Sequence, residues 1–121
     1  MTYTPPTTEQ LFVLNHIARV DAMASHEKFA AATPDMVEAI VTGIGDFAAD
    51  VYAPLNRVGD TANPKWDKGK VTMPPGFKDA YKQFVEAGWG SIDGPAAYGG
   101  QDLPFTLATV IIEALGSADM G

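Results

Sequence analysis

The residues of this sequence that are best suited to chemistry are two histidines and a pair of aspartates. His16 and His26 lie ten residues apart without a third ligand at metal-binding spacing, so a surface or core-edge position is favoured over a metal site. Asp46 and Asp50 are four residues apart on a predicted helix. Paired carboxylates do acid–base work only in a cleft that separates their pKa values, so a solvated acidic face is favoured here.

A single glutamate, Glu113, lies in an otherwise apolar helical segment. It could be a buried functional carboxylate, but a position on the narrow polar edge of that helix is favoured. A mild basic run consists of Lys65, Lys68, Lys70, Lys78 and Lys82. For this run a solvated loop is favoured over contact with an anionic ligand. We therefore predict no catalytic, cofactor-binding or metal-binding residue in these 121 positions.

Two glycine-containing stretches could hold phosphate groups. GWGSIDG, residues 88–94, has three glycines, but no predicted strand precedes it, so a dinucleotide-binding loop is disfavoured. Trp89 in this stretch is predicted to pack inward and anchor its loop. In AAYGGQDLP, residues 96–104, Gly99 and Gly100 could cradle a phosphate, mark a catalytic turn or reverse the chain between two helices.

Composition limits the classes of protein to which this sequence can belong. Its 121 residues suffice for one domain, and 46% apolar residues allow a buried core. A net charge of −7 argues against nucleic acid binding, and the absence of cysteine excludes disulfides and thiolate zinc sites. The sequence shows no secretory signal and no apolar run of membrane-spanning length, so we predict a cytoplasmic protein without a membrane span.

Four main helices are predicted to position these residues, which makes the fold class all-α with long irregular connections. The first covers residues 7–20, with Thr7 or Thr8 as its N-cap. Its apolar face contains Leu11, Leu14, Ile17 and Ala18. One or two further helical turns are predicted after Ser25.

The second helix is the element that the sequence predicts most clearly. Thr33 is a good N-cap, Pro34 suits the first helical position, and the apolar residues that follow keep a 3.6-residue spacing. Gly43 and Gly45 cost about 1 kcal/mol each relative to alanine, and small residues there would let a neighbouring helix approach closely. Since Pro54 disfavours helical conformation in the residue before it, we predict that this helix ends near Tyr52.

A connection of more than 20 residues, 55–76, is predicted next, with a short extended piece over residues 68–74. The third helix, within residues 76–88, is predicted to bury Phe77, Tyr81, Phe84 and Val85, with Gly88 at its C-terminal end. The fourth helix begins at Phe105, and its apolar face contains Leu107, Val110, Ile111, Ala114 and Leu115. Because its apolar face is nearly continuous, this helix needs partners on more than one side, and we expect further residues to follow Gly121.

One combination of motifs resembles the N-terminal helical domain of the flavin-dependent acyl-CoA dehydrogenases. That family has an aromatic helix, then Gly-Trp or Gly-Leu, a Pro-x-x-Tyr-Gly-Gly-x-x-Leu-Pro turn, and a helix ending in Glu-x-Leu-x-x-Ala-Asp. The matching residues are Gly88-Trp89, Pro95, Tyr98-Gly99-Gly100, Leu103-Pro104, Glu113, Leu115 and Ala118-Asp119. The resemblance covers most of residues 34–121, and AADVYAPLNRVGD, residues 48–60, is similar to the family's long helix and following segment.

The opening sequence, residues 3–22, is similar to the extra N-terminal segment of a bacterial subgroup that includes methylthiopropanoyl-CoA dehydrogenase-like enzymes. We therefore predict an N-terminal extension over residues 1–32. Residues 33–121 would form the acyl-CoA dehydrogenase N-terminal helical domain, truncated at its C-terminal end. Within this domain, Gly99 and Gly100 are interpreted as a sharp connector between the third and fourth helices, with a positive φ angle.

The resemblance implies that the intact protein is an FAD-dependent enzyme that oxidises an acyl-CoA to a 2,3-enoyl-CoA. A glutamate would remove the α-proton, made more acidic by polarisation of the thioester carbonyl, while the β-hydrogen leaves as hydride to the flavin. In this family the base and the flavin site belong to later domains, and the helix after Gly121 would line most of the acyl pocket. We therefore expect the 121 residues alone to be inactive.

The resemblance also implies an electron-transfer acceptor as partner and a homo-oligomeric assembly. An acyl-CoA oxidase is a rival within the same class, because oxygen reactivity depends on access to the flavin. A second interpretation is a stand-alone helical protein-interaction module derived from such a domain. Its exposed helix faces would then bind a protein partner.

Overall fold

The computed structural model describes residues 2–120, and most of them are helical. These residues form α-helices and a two-stranded antiparallel sheet, so the predicted all-α fold is confirmed, with a small hairpin in addition. The helices are α1 (Thr7–Phe12), α2 (Val20–Ala24), α3 (Pro34–Phe47), α4 (Ala53–Ala62), α5 (Phe77–Glu86) and α6 (Phe105–Ala118). The strands are β1 (Lys65–Asp67) and β2 (Lys70–Thr72), with Trp66 opposite Val71.

Helices α3 and α6 pack against each other at the centre of the hydrophobic core. Val41 and Ile44 of α3 and Leu107 and Ala114 of α6 are fully buried, as the 3.6-residue spacing of the apolar residues predicts. Burying a leucine or isoleucine side chain stabilises a fold by about 1.5–3 kcal/mol. This pair of helices is therefore the support against which the other elements are positioned.

The long helix does not end near Tyr52, so that prediction is wrong. α3 starts as predicted, with the Thr33 hydroxyl accepting a hydrogen bond from the Met36 N–H at 3.3 Å. A π-helical turn, Ala48–Tyr52, then leads directly into α4. Pro54 lacks an N–H and its ring needs room in the preceding turn, so this wider turn accommodates it at the start of α4.

The connection predicted over residues 55–76 is therefore much shorter than expected. Residues up to Ala62 belong to α4, and the hairpin occupies most of residues 65–72, which confirms the short extended piece. Gly59, which falls in the predicted connection, lies within α4. A methyl group there would lie 2.9 Å from the Phe77 ring, so the glycine permits α5 to approach α4 closely.

The first predicted helix is divided in two. α1 continues through a π-helical turn, Val13–Ile17, and Arg19 then adopts a left-handed conformation with φ at 54°. α2 begins at the next residue, so the helix predicted over residues 7–20 is too long. Pro6, rather than Thr7 or Thr8, precedes the first helical residue, and no described side chain caps that end.

The change of helix type in this region also changes which side chains are buried. Leu14 and Val20 lie in the core, whereas Ile17, predicted on the same apolar face as Leu14, is 69% exposed. A π-helical turn holds more residues than an α-helical turn, so the side chains in it, Ile17 included, point away from the directions that a 3.6-residue spacing predicts. The short helical structure predicted after Ser25 is confirmed as a 3₁₀ turn, Glu27–Phe29.

Helix α5 lies where it was predicted, but its buried face was partly wrong. Ala80 is buried and Phe84 is half-buried, whereas Tyr81 and Val85 are exposed. The spacing of the apolar residues in α5 predicts a wide apolar face. The core covers only the side of the helix that carries Ala80 and Phe84. Gly88, with φ at 77°, follows the last turn as predicted.

The two glycines of α3 permit close approach, but not of a neighbouring helix. A methyl group at Gly43 would lie 3.1 Å from the Trp89 indole, and one at Gly45 would lie 3.0 Å from the Pro5 ring. The elements that approach α3 are thus a loop tryptophan and the N-terminal segment. Their side chains occupy the space that larger residues on α3 would fill.

The turn at Gly99 and Gly100 is a structural connector. Gly99 has φ at 88°, which confirms the predicted positive angle, and the Gly100 N–H donates to the Pro95 carbonyl at 3.0 Å. A methyl group at Gly100 would overlap the backbone of Gly94. The Asp102 N–H also donates to the Gly94 carbonyl at 3.0 Å, so two stretches of backbone are held together here.

We predict that Gly99→Val lowers the free energy of unfolding by about 1–2 kcal/mol, because a β-branched residue is strained at this φ angle. Apart from the neighbouring residues in the chain, no atom lies within 4 Å of the position that its Cβ would occupy, so strain rather than a clash is the cause. Urea unfolding measures the change. Gly99→Asn is the matched control and should lose less, because asparagine tolerates the left-handed region. An unchanged midpoint for the valine variant contradicts the prediction.

Candidate functional site

A groove of about 640 Å³ lies between the π-helical turn before α4, strand β2 and helix α5. We call it the hairpin groove. Its apolar and aromatic lining includes Tyr52, Leu55, Val71, Met73, Phe77 and Tyr81. The volume falls within the range of small-molecule sites, and the lining is of the kind that binds an aliphatic or aromatic group.

Lys70, Lys78 and Asp119 bring charge to the hairpin groove. Asp119 follows α6, and its carboxylate accepts a hydrogen bond from the Asn56 amide at 3.4 Å. The groove therefore combines an apolar lining with two cations and one anion. This combination suits an amphipathic ligand better than a purely apolar one.

The run of five lysines singled out in the sequence is divided between different environments. Lys70 and Lys78 line the hairpin groove, whereas Lys65 and Lys68 are exposed on the hairpin. Lys82 forms an exposed ion pair with Glu86 at 3.7 Å along α5. The structure therefore brings two of the five lysines to one site.

The hydroxyl of Tyr52, in the lining of the hairpin groove, has a shifted pKa. Partial burial raises its pKa above the ordinary value, and the negative charge of Asp119 and the neighbouring Tyr81 raise it further. The phenol is therefore neutral at neutral pH. It acts as a hydrogen-bond donor or acceptor and not as a base.

The raised pKa of Tyr52 predicts a loss of stability in alkaline solution. The folded protein holds this proton more tightly than the unfolded chain, so the contribution is complete below about pH 10 and disappears as the pH rises through the folded-state pKa. We expect the urea midpoint to fall more steeply above about pH 10 in the parent protein than in Tyr52→Phe. Tyr98→Phe, at a residue that is 90% exposed, is the control. Equal slopes for the Tyr52 variant and the parent contradict the prediction.

The predicted metal and acid–base candidates do not come together in the described residues. His16 lies against Phe12 with the two rings tilted at 47° and their centroids 4.9 Å apart. The His26 ring accepts a hydrogen bond from the N–H of Lys28 at 3.3 Å. No group of three potential metal ligands occurs in residues 2–120. Asp46 and Asp50 are both exposed, in keeping with a solvated acidic face.

Glu113 lies on the exposed edge of α6, as favoured from the sequence. Its carboxylate accepts a hydrogen bond from the side chain of Gln10 at 3.2 Å. Gln10 is 5% exposed, and sequence analysis missed it. The available signal was its spacing of four residues from Leu14, which places both side chains on the same face of a helix.

The stretch GWGSIDG does not form a nucleotide-binding loop. It follows helix α5 rather than a strand, and it includes a short 3₁₀ turn, Trp89–Ser91. The Trp89 ring packs against the core with its centroid 6.4 Å from that of Phe47, which confirms its predicted role as an anchor. The indole N–H is buried without an acceptor among the described residues, and it lies in this packed region rather than in an open cradle.

The residues described do not by themselves fit an FAD site. A dinucleotide loop directs free backbone N–H groups at the pyrophosphate from a strand–helix junction. Here the N–H groups of Gly88 and Gly94 already donate to the carbonyl groups of Val85 and Ser91, at 3.0 and 3.1 Å. The hairpin groove adds lysines and apolar surface but no glycine-rich loop, so no reaction step is assigned to flavin on these residues.

Comparison with known proteins gives two similarities. Residues 34–121 match the family model described as acyl-CoA dehydrogenase, N-terminal domain. The chain is also 33% identical over 120 residues to a 3-methylmercaptopropionyl-CoA dehydrogenase of Ruegeria pomeroyi, an alignment that covers 99% of this chain and 20% of that protein. The chain therefore spans about a fifth of the length of this relative. No helix within residues 2–120 is long and apolar enough to cross a membrane.

Proposed function

Because this chain belongs to the acyl-CoA dehydrogenase family, through its N-terminal domain, we propose that it contributes to an FAD-dependent oxidation of an acyl-CoA to a 2,3-enoyl-CoA. The observation that carries the proposal is the family match over residues 34–121. The likeness to a 3-methylmercaptopropionyl-CoA dehydrogenase, which extends through the opening residues, supports a short acyl-CoA as substrate.

In this proposal, the residues described supply support and binding surface rather than the reacting groups. Residues 2–120 bring no three potential metal ligands together, and the candidate carboxylates Asp46, Asp50 and Glu113 are exposed. A catalytic base must lie within hydrogen-bond reach of a substrate in a cleft, whereas these three carboxylates face solvent. The base and the flavin site are therefore assigned to regions of a longer protein, and the 121-residue chain alone is expected to be inactive.

The test is a visible absorption spectrum of the protein expressed from its complete gene. We expect a flavin band that bleaches on anaerobic addition of a short acyl-CoA, with the 121-residue chain as the matched control that shows neither band nor turnover. A complete gene product without flavin overturns the proposal. Turnover by the 121-residue chain with an artificial acceptor overturns the assignment of its chemistry to other regions. Reoxidation by an electron-transfer protein rather than by oxygen would distinguish a dehydrogenase from an oxidase.

A protein-interaction module is the second candidate function. The observation that favours it is the number of large apolar side chains that are more than half exposed on α1, its π-helical continuation and α6. These are Phe12, Ile17, Phe105 and Ile112. A complete gene product that has no flavin and binds a protein partner through these residues would establish this alternative.

A further inference from the structure

The hairpin carries an apolar patch that the described residues leave largely uncovered. Trp66 and Val71 are paired directly across the two strands, so their side chains lie on the same face, and they are 73% and 58% exposed. Met73, 49% exposed, and Tyr81 of α5, 65% exposed, line the hairpin groove together with Val71. We call these four residues the hairpin patch. Apolar side chains grouped in this way, rather than scattered singly, indicate a binding surface.

The charge around the hairpin patch is opposite in sign to that of the rest of the chain. Residues 65–82 hold five of the eight basic residues and two of the fifteen acidic ones, a net charge of +3, whereas the other residues together carry −10. The count includes Asp67, which lies opposite Lys70 across the strands. Lys70 and Lys78 line the same groove as the patch, so positive charge borders its apolar surface. The complementary partner is therefore anionic.

The kind of cation distinguishes a lipid surface from a protein partner. All five basic residues between positions 65 and 82 are lysines, and lysine is depleted at protein–protein interfaces, where arginine is enriched. A lysine can lay its aliphatic stem along apolar surface while its ammonium group stays in water, which suits the boundary between acyl chains and headgroups. Tryptophan is enriched at that same boundary. Val71 and Met73 are aliphatic and offer no ring on which a nucleic acid base could stack.

The hairpin can reach a surface without any change in the fold. Every residue from 61 to 73 is exposed. Lys68 and Gly69 have positive φ angles of 45° and 81°, which are typical of a tight two-residue hairpin turn. This turn places Lys68 at the tip of the hairpin, two residues from Trp66. A cation and a large aromatic side chain are thus presented together.

We propose that the hairpin patch docks on a bilayer surface that contains anionic phospholipids. Trp66 and Val71 enter the boundary between headgroups and acyl chains, and the ammonium groups of Lys65 and Lys68 contact lipid phosphate groups. The same lipids repel the acidic remainder of the chain, so a single orientation is selected. With one tryptophan and a few lysines as its anchor, the attachment is peripheral and reversible.

The test is co-sedimentation of the protein expressed from its complete gene with vesicles of phosphatidylcholine, with and without phosphatidylserine. The parent protein should bind the anionic vesicles at least about tenfold more tightly than the neutral ones. Salt at about 1 M should remove this difference, because charges are then screened beyond about 3 Å. Lys65→Glu, Lys68→Glu and Trp66→Ala should each weaken binding to the anionic vesicles about tenfold.

Two variants on other elements are the matched controls. Lys28→Glu makes the same charge change at an exposed lysine outside residues 65–82 and should leave binding unchanged to within about twofold. Phe12→Ala removes an aromatic side chain that is 58% exposed on α1, and it is the control for the tryptophan substitution. Urea midpoints verify that the hairpin variants are folded, which is expected because the substituted side chains are exposed.

Several outcomes overturn the inference. Binding to neither kind of vesicle, or equal binding to both, shows that anionic lipid is not recognised. Equal effects of Lys28→Glu and Lys68→Glu would reflect net charge alone, and full binding by Trp66→Ala would leave the hairpin patch without a part in docking. A parent protein that ignores vesicles but binds an acidic protein through Lys68 would make this face a protein interface instead. None of these readouts depends on flavin or turnover, so the inference stands or falls separately from the proposed function.

Discussion

Gly100→Ala is expected to lower the free energy of unfolding by about 3 kcal/mol or more, which is a large part of the stability of a domain of this size. The added methyl group would overlap the backbone of Gly94, which cannot move aside as a side chain can. The hydrogen bonds from Gly100 to Pro95 and from Asp102 to Gly94 hold both stretches of backbone in place. The urea midpoint, measured by circular dichroism, gives the loss.

Gly116→Ala is the matched control for this substitution. Gly116 lies in α6, and apart from its neighbouring residues and the backbone of its own helix no atom lies within 4 Å of the position of an added Cβ. Alanine is favoured over glycine in a helix by about 1 kcal/mol, so this variant should be as stable as the parent or more stable. Equal midpoints for Gly100→Ala and the parent would show that the turn can open, and would contradict the prediction.

Leu107→Ala is expected to cost about 3 kcal/mol, the second-largest effect predicted for this protein. Leu107 is 0% exposed and lies in the core between α6 and α3. Truncation removes buried methyl groups and leaves a cavity, because the surrounding helices relax only in part. Chemical denaturation with urea measures the difference in free energy of unfolding.

Ile112→Ala on the same helix is the control for the leucine substitution. Ile112 is 64% exposed, so its truncation should change the free energy of unfolding by about 0.5 kcal/mol or less. The difference between the two variants separates burial from helix propensity, because both replace a large aliphatic residue in α6 by alanine. Similar losses at the two positions would mean that the described core is not the one that stabilises the protein.

The parts of the fold that were predictable from sequence are those governed by one local preference. The α6 face and the α3 start follow from apolar spacing and from the Thr33–Pro34 pair, and both agree with the structure. Where two preferences oppose each other, prediction failed. Pro54 disfavours α-helix before it, yet a π-helical turn lets the chain continue into α4. At Arg19, a left-handed residue divides a segment whose apolar spacing indicates a single helix.

The candidate sites were less predictable, because they depend on which elements meet. The lysine run was visible in the sequence, but that Lys70 and Lys78 line a groove depends on the packing of the hairpin beside α5. Gln10 and Glu113 are 103 residues apart, and no local pattern pairs them. The absence of a predicted catalytic residue stays a prediction, since the reaction is assigned to a longer protein. The motifs between Gly88 and Asp119 indicate the family without any knowledge of tertiary contacts, and the family match over residues 34–121 agrees with them.

The contact of the N-terminal segment with α6 has a consequence for the order of folding. The hydroxyl of Tyr3 lies 2.8 Å from that of Ser117, and Gln10 contacts Glu113. During synthesis the ribosome adds about 5–20 residues per second. Helix α3, against which α1 packs, is therefore made within seconds of α1, whereas the α6 residues that the N-terminal segment contacts follow only after about 5–20 seconds. Closing so large a loop also carries an entropic cost that local helix formation does not. Throughout that interval only the part of the nascent α1 surface that faces α6 remains open to chaperones.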